Sequence, residues 1–563
     1  MSTLQTSILF ILSFFIVAFG QPATIPWLGL VSAACGFAII LYVIAQIPSR
    51  WHRFLMGTAW YTLVQLYQTA WFIYHGYSYI YLPYFLLTSE SGLLFGLLAI
   101  FTTPRALSSL YGCLSLAALW TILEWSRLYI LTGYTWNPIG LTLSANDWAR
   151  QLASVAGVFG LSFWVMFTNT LAVRAALQRA VPYAWLAAAL FPYAFGAIHM
   201  AAPTQLASTD PHKKSLRVLL VQSAFPAEEN PDLPRTKTFV EYNEEKWEQI
   251  LVTLLPFHGK QIDMIVLPEF VVSMATYPYG YSALSVFKTF GDLFGPNTHP
   301  SLPHLTSPYA SITNTPQGIQ MMVNNAFWSQ AIANVFHTSV LVGLEDIEQD
   351  EKGKARYYNS ALLFHEQKNP YDEPLTSPPR YDKRVLVPMG EYIPFDFCKS
   401  LAAKYGIIWS FTPGSEAKIM HVQGVPFSPS ICYEETHSHI VREGRQIGGN
   451  LLVNITSDAW YPNSPLPVQH FEHARLRTVE NGVPLIRACN NGVTGGFDCY
   501  GRVIDNLGGD HPEEVEWTRA GLLIEVPLQH YWTLYSHVGN ALIITLSALI
   551  LLFNLVSFPK PKQ

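Results

Sequence analysis

The feature that most constrains this chain is where its apolar residues lie. Long apolar runs crowd both ends, and the stretch from about Ala202 to Tyr535 between them is polar enough to fold in water. About 20 apolar residues in a helix span the hydrocarbon layer of a bilayer. Eight segments have that character: Ser7 to Phe19, Trp27 to Ile47, Leu55 to Tyr74, Leu82 to Thr102, Leu107 to Leu123, Leu152 to Val173, Val181 to Ala201, and Val538 to Phe558. The first is short, and the third is polar for a span. Read as a cleaved leader, the first lacks a basic n-region, and further spans follow it. Half of the residues are hydrophobic and only 13% are charged. That is more apolar material than a soluble core of this size needs, so the chain reads as a membrane protein.

Orientation follows from the loop cations, because cytoplasmic loops collect arginine and lysine. With a cytoplasmic N-terminus, the inside loops hold Arg50, Arg53, Arg105, Arg174 and Arg179, and the tail holds Lys560 and Lys562. The short outside loops then hold Arg127 and Arg150. Seven crossings place the long middle segment outside the cytoplasm, and the eighth returns the tail. Residues 1–201 thus form a helical membrane domain, 215–530 an outer domain and 537–558 a last span, with Asp210 to Lys214 as a linker.

A net charge of −5 offers no basic surface for binding nucleic acid by counterion release. Of six cysteines, Cys35 and Cys113 lie in spans, leaving Cys398, Cys432, Cys489 and Cys499 outside. Four in so long a segment make no disulfide framework, and no C-x-x-C occurs to suggest a redox or zinc motif.

The outer segment alternates short β-branched runs ("RVLLVQ", "DMIVLPE", "TSVLVGLE", "NLLVNITSD", "PLIRACNNG") with helical stretches such as "VEYNEEKWEQILVTLL" and "QHFEHARLRTVENG". This is the rhythm of an α/β fold with helices layered on sheet, in which ligands gather at strand ends. Three strand ends carry reactive groups. "IVLPEF" delivers Glu269, "YDKRVLVPMGEYIPF" supplies Lys383 and Glu391, and "PSICYEE" supplies Cys432. A thiol becomes a good nucleophile once a carboxylate takes its proton, and a lysine steadies the oxyanion formed on the attacked carbonyl. Together they make a complete acyl-transfer set.

This ordered set resembles the nitrilase superfamily. With seven spans before it and one after, the chain is similar to the apolipoprotein N-acyltransferase family. The likeness rests on "LEWSRLYILTGYTWNPIG" and "QLASVAGVFGLSFWV" in the membrane part. In the outer domain it rests on "LPE", "YNSALLF", "DKRVLVPMGEYIP", "FTPG", "ICYE", "NITSDAW", "QHFEHARLR" and "NNGVTG", in the family's order. It implies a polytopic membrane domain joined to a nitrilase-like αββα sandwich. It implies a triad of Glu269, Lys383 and Cys432, supported by Glu391, Tyr433 and Glu434. It also implies the reaction: a phospholipid acyl chain passes through a cysteine thioester to the α-amino group of a lipoprotein's diacylglyceryl-cysteine, at the inner membrane with the catalytic domain facing the periplasm. No cofactor is called for.

Other features have bland rivals. Cys489 is a competing thiol without an accompanying acid or lysine motif, and Glu391 also suits a structural acid that pairs a buried cation. The "HSH" at His437 to His439 and "HFEH" at His470 to His473 have spacings that suit a metal, but no acyl-transfer step needs one, and hydrogen bonding around the site mouth is the expected role. Glu124 and Arg127 lie one turn apart at a span's end, and Glu90 lies within a span, as functional groups or as internal partners. Between Phe270 and Thr338 an aromatic and Met-containing stretch reads as an arm near a lipid entry, with Phe327 and Trp328 as candidate entry residues; the rival is a packed insertion with its own small core. Two departures stand out from the family pattern: "VQSAFPAEENP" lacks the usual Gln-x-Asn, and "DAWYPNS" has Pro462 where the family tends to have Gly. A membrane-anchored nitrilase-type amidase and a transporter with an outer sensor domain remain as alternative classes.

Overall fold

The computed structural model describes residues 2–206, 214–227, 237–316, 318–367, 378–394, 399–404 and 410–557. Cys398, most of the linker, and Lys560 and Lys562 of the tail lie outside the described residues.

Every apolar segment is helical. Among the described residues, three helices are long and apolar enough to cross a membrane: Pro26–Ala45, Ser78–Phe101 and Ala153–Gln178. Thr3–Phe19 and Ala541–Phe553 are shorter apolar helices. The polar third segment is the helix Arg50–Gln68, and the fifth and seventh are Leu110–Ser126 and Tyr183–His199. Their shared core centres on the rings of Trp60, Tyr61, Phe95 and Trp120. The helix Pro26–Ala45 contains a π turn at Ser32–Gly36, which frees backbone groups that need other partners. Asn169 supplies them: its Nδ2 donates to Ala33 O at 2.8 Å, and its Oδ1 accepts from Ala38 N at 2.8 Å.

Among the described residues, two six-stranded sheets form the part between the apolar ends. The first runs Ala520–Pro527, Ser215–Gln222, Met264–Val266, Ser339–Gln349, Ala355–Phe364, Arg380–Asp382, and the second Met420–Val422, Val425–Ile431, Leu451–Thr456, Leu485–Cys489, Gly495–Phe497, Val503–Asn506. The sheets pack face to face through Val218, Val266, Leu341, Ile431, Val453 and their neighbours. The helices Phe239–Leu254 and Asn325–Val335 cover the first sheet. The helices Ser438–Gln446 and Leu466–Asn481 cover the second, giving four layers in the order αββα. Within each sheet three neighbouring strands are parallel. Their carboxyl ends carry the chain into the segments that hold Glu269, Cys432, Asp458 and Asn490.

The Phe270 to Thr338 region is corrected by the structure. It forms a three-stranded sheet, Tyr281–Ser282, Ala310–Thr315 and Gly318–Val323, with the helix Ala283–Phe294 and a dense core. Phe327 and Trp328 are both 0% exposed. Trp328 stacks on Trp247 at 5.8 Å, and Phe327 faces Phe287 at 6.1 Å. Their helix packs directly against the first sheet, so these rings belong to the packed core.

The two parts share an interior. Leu476 and Val479, on the sandwich helix Leu466–Asn481, belong to the core of the apolar helices. Around them buried polar groups cross the junction. Arg150, 1% exposed, donates to Gly501 O at 2.9 Å; Gln151 Nε2 donates to Tyr500 O at 2.9 Å; and Glu480 Oε1 accepts from Val158 N at 2.8 Å. Such groups cost several kcal/mol when unpaired, so they fix the relative placement of bundle and sandwich.

Candidate active site

Glu269 follows the strand Met264–Val266 in a turn that presses on Gly343. A Cβ on Gly343 would stand 2.5 Å from Pro268 O and 2.6 Å from the Glu269 Cα. Glycine is therefore required there by close approach, and this contact seats Glu269. Gly343 N donates to Pro268 O at 3.2 Å and Val271 N to Gly343 O at 3.0 Å, completing the clamp.

Lys383 leaves the strand Arg380–Asp382 and is 1% exposed. Its Nζ lies 3.1 Å from Glu269 Oε1 and 2.9 Å from Glu391 Oε1. Asn359 completes the cluster, its Nδ2 donating to Glu269 Oε1 at 2.7 Å and to Glu391 Oε1 at 2.8 Å. Glu391 Oε2 accepts from Val387 N at 2.7 Å. The one ammonium is thus held between two carboxylates, and one amide spaces them. Burial draws the Lys383 pKa down, but the carboxylates of Glu269 and Glu391 outweigh it and hold the ammonium well above its ordinary range. Burial raises the Glu269 carboxyl, with Lys383 opposing and Glu391 adding.

Cys432 stands just past Ile431 with φ of +51°. A non-glycine residue in this left-handed region costs about 1–3 kcal/mol and persists only where neighbours over-determine it. Glu434 is the main such neighbour. Its Oε2 accepts from Ile431 N and the Tyr381 hydroxyl, each at 2.8 Å, and its Oε1 from Arg384 N at 2.6 Å and Val385 N at 3.2 Å. One buried carboxylate thus fastens the cysteine turn to the segment that bears Lys383. Burial lifts its pKa despite these donors. Asn454 Nδ2 reaches Cys432 O at 3.4 Å. The Cys432 thiol is pushed well above its ordinary pKa by burial and then by the Glu269 carboxylate, with Lys383 opposing. A resting thiol with a carboxylate and an ammonium acting on it suits base-assisted attack on a carbonyl.

Tyr433 packs into a largely aromatic wall with Trp71, Tyr134, Trp136, Met389 and Tyr461. Its ring meets His437 edge-on at 4.6 Å. The structure therefore gathers Glu269, Lys383, Glu391 and Glu434 around the cysteine turn, sets Tyr433 beside it and leaves Phe327 and Trp328 in a separate core. Cys489 is fully buried, its Sγ donating to Val493 O at 3.1 Å. His470 Nδ1 lies 3.1 Å from Asp458 Oδ1 and its Nε2 3.4 Å from Glu435 Oε2. With His437 and His473 it is at most 5% exposed, so these histidines face protein interior. Burial pushes His437 down to about 3. Among the described residues no three His, Cys, Asp or Glu side chains gather as metal ligands. Glu124 and Arg127 hold the loop that follows their own helix: Glu124 Oε1 accepts from Ile139 N at 2.8 Å and Arg127 Nη2 donates to Trp136 O at 2.8 Å. Where the family tends to place Asn, this chain has Ala224, and Asn490 serves the segment instead: its Oδ1 accepts from Ser223 Oγ at 2.7 Å and Phe225 N at 2.8 Å.

Asn359 is not among the residues that strand ends and reactive chemistry single out in the sequence. The signal was present in "YNSALLF", where an amide interrupts an apolar strand, since a buried polar group demands partners.

A carbon-nitrogen hydrolase model matches residues 226–515, and a model of the apolipoprotein N-acyltransferase N-terminal domain matches residues 8–171. The apolipoprotein N-acyltransferase of Chlamydia pneumoniae is 30% identical over 554 residues, covering 94% of this chain and 93% of its own. The chain belongs to the apolipoprotein N-acyltransferase family. The enzyme of the same name from Chlamydia caviae is 30% identical over 570 residues, covering 96% and 95%. That from Shewanella oneidensis is 27% identical over 480 residues, covering 82% and 76%. Among solved structures, a carbon-nitrogen hydrolase from Helicobacter pylori aligns with 62% of this chain and 96% of its own, at 14% identity and a TM-score of 0.34. The two family models together take in the membrane helices up to Leu171 and all of the residues gathered around Cys432.

Proposed function

We propose that the protein moves an acyl chain from a membrane phospholipid, through a thioester on Cys432, to the α-amino group of the diacylglyceryl-cysteine at a lipoprotein's N-terminus. The observation that carries this reading is the convergence of Glu269, Lys383 and Glu391 at the strand end that bears Cys432, in a chain of this family. Glu269 accepts the thiol proton as Sγ attacks an ester carbonyl of the phospholipid. Lys383 stabilises the oxyanion. The ester C–O bond then breaks, the proton passes from Glu269 to the departing lysophospholipid alkoxide, and the acyl group remains on sulfur. In the second half the acceptor amine attacks the thioester, Glu269 takes a proton from the nitrogen, and the released thiolate recovers it. Products leave between the two attacks, which is ping-pong order. Glu391 and Asn359 hold the base and the ammonium in place, Glu434 holds the cysteine turn and Tyr433 forms its wall.

Both substrates are lipid-anchored, which gives the spans their purpose. In this reading residues 1–201 are the membrane bundle, 215–530 the catalytic domain and 537–558 the closing span. Eight crossings with a cytoplasmic N-terminus put the catalytic domain on the periplasmic side of a bacterial inner membrane, as the loop cations favour.

Intact-mass measurement of detergent-purified protein with phospholipid alone tests the proposal. An acyl adduct removed by hydroxylamine, absent in Cys432→Ala, is the expected result. Lysophospholipid without an adduct favours the amidase-type hydrolase. Neither adduct nor lysophospholipid overturns phospholipid as the donor.

A further inference from the structure

The residues that immediately follow the nucleophile are held from the membrane side. The loop between the helices Leu110–Ser126 and Ala153–Gln178 passes directly over the turn Cys432–Thr436. There Thr135 Oγ1 lies 2.5 Å from Thr436 Oγ1 and 3.5 Å from the Tyr433 hydroxyl. Each hydroxyl has one proton to give. Thr436 Oγ1 also donates to Tyr433 O at 2.8 Å, and the Thr135 hydroxyl is aimed at the Tyr433 hydroxyl, so Thr135 meets groups already tied into the turn. One side chain of the membrane part thereby touches two of the four residues after Cys432.

The loop that offers Thr135 is itself rigidly fixed. Tyr134 N donates to Arg127 O at 2.9 Å, and the Arg127 guanidinium lies over the Tyr134 ring at 4.9 Å. On the other flank Trp136 Nε1 donates to Gln469 Oε1 at 2.6 Å, which ties the loop to the helix Leu466–Asn481. That helix returns to the same turn, where Arg477 Nη1 donates to Thr436 O at 3.0 Å. The turn needs such restraint because Cys432 sits at positive φ, a conformation that relaxes unless its surroundings forbid it. Glu434 restrains it from the catalytic sandwich. Thr135 is a restraint that the sandwich does not supply.

We infer that Thr135 is a positioning residue for the nucleophile turn, so that Cys432 is aligned for attack only while the membrane loop is seated on Tyr433 and Thr436. This rests on the reading of Cys432 as the acyl carrier. It makes the membrane part a contributor to the chemistry as well as the anchor that brings lipids to it. The contacts of Thr135 are with Tyr433 and Thr436 and not with Cys432, so Thr135 acts through the turn's geometry.

The test uses full-length protein in detergent and two variants, Thr135→Val, which keeps the shape and removes the hydroxyl, and Thr135→Ser, which keeps the hydroxyl. Two rates are read: thioester formation from phosphatidylethanolamine, and alkylation of Cys432 by iodoacetamide without any lipid. Thr135→Val is expected to lower the limiting rate of thioester formation ten- to hundredfold with KM changed less than threefold, and to slow alkylation. Thr135→Ser is expected to stay within threefold of wild type on both. In the background of Thr436→Val, which removes the partner hydroxyl, Thr135→Val should cost no more than a further factor of two. Unchanged rates in Thr135→Val overturn the inference. So does an equal fall in both Thr135 variants accompanied by a lower unfolding temperature, which marks a purely structural contact. If wild type forms no thioester while alkylation still separates Val from Ser, the acyl-carrier reading fails and the positioning role stands.

Discussion

Glu269→Gln separates the chemistry of the cluster from its architecture. The amide retains an Oε1 that accepts from Asn359 Nδ2 and Lys383 Nζ, so the contacts at 2.7 Å and 3.1 Å survive. What disappears is the proton acceptor and one negative charge. A free thiol is about 3% ionised at pH 7. Cys432 is pushed well above its ordinary pKa by burial and by Glu269 and is less ionised still, so a resting thiolate does not stand in for the base. Loss of a positioned base costs about 10²–10⁴ in rate, which is about 3–5 kcal/mol of barrier. Thioester formation at pH 7, followed by intact mass in single turnover, should slow by that factor. The wild-type rate should also fall as pH drops through the raised Glu269 pKa, because protonated Glu269 accepts nothing; the variant should lack this limb. Alkylation of Cys432 at about pH 9.5 should move the other way, equal to wild type or faster, since removing the neighbouring carboxylate eases thiol ionisation. A thioester rate within threefold of wild type refutes Glu269 as the base. A parallel loss of alkylation refutes the claim that the cluster's geometry survives the change.

Two further substitutions address the frame around the site. Gly343→Ala forces a methyl to within 2.6 Å of the Glu269 Cα and 2.5 Å of Pro268 O; thioester formation should fall at least tenfold, with about 1–3 kcal/mol lost to overpacking, and a wild-type rate would show that the Glu269 turn is not seated by this contact. Trp328→Ala empties a fully buried site against Trp247 and should cost about 3–5 kcal/mol, read as a lower unfolding temperature with KM for phospholipid unchanged; a raised KM at unchanged stability would return Trp328 to a lipid-entry role.

Glu269, Lys383 and Cys432 are legible in sequence because each ends a recognisable strand, and strand ends are where an α/β sheet presents its chemistry. Asn359 escapes the same reasoning. It lies within the strand Ala355–Phe364, and its two carboxylate partners come from residues 90 and 32 positions away. The polar third segment illustrates the same limit. Gln65 and Gln68 weaken it as a lipid-facing span, yet both are buried, and Gln68 Nε2 donates to Val17 O at 2.9 Å. Polarity along a helix reports that partners exist without saying whether they are water or protein. Phe327 and Trp328 fail for the complementary reason. An aromatic-rich stretch has the composition of both a lid and a core, and the stacking partner that decides it, Trp247, sits on a helix outside the stretch.

The helix Leu466–Asn481 shows why bundle and sandwich belong to one catalytic unit. On one side Leu476 and Val479 pack into the core of the membrane helices. On another, Gln469 Oε1 accepts from Trp136 Nε1 of the membrane loop. Toward the site, His470 bridges Asp458 and Glu435, while Arg477 holds Thr436 O. A displacement of the bundle therefore cannot leave the cysteine turn unmoved, because the same rigid element contacts both. On the proposed ping-pong route, a thioester that must wait for an amine survives only in a site that excludes water. Here aromatic side chains of the membrane part, Trp71, Tyr134 and Trp136, line the wall beside Tyr433. Loosening that wall should raise acyl loss to water relative to transfer to amine, so the ratio of the two products, more than either rate, measures how well the membrane part seals the site.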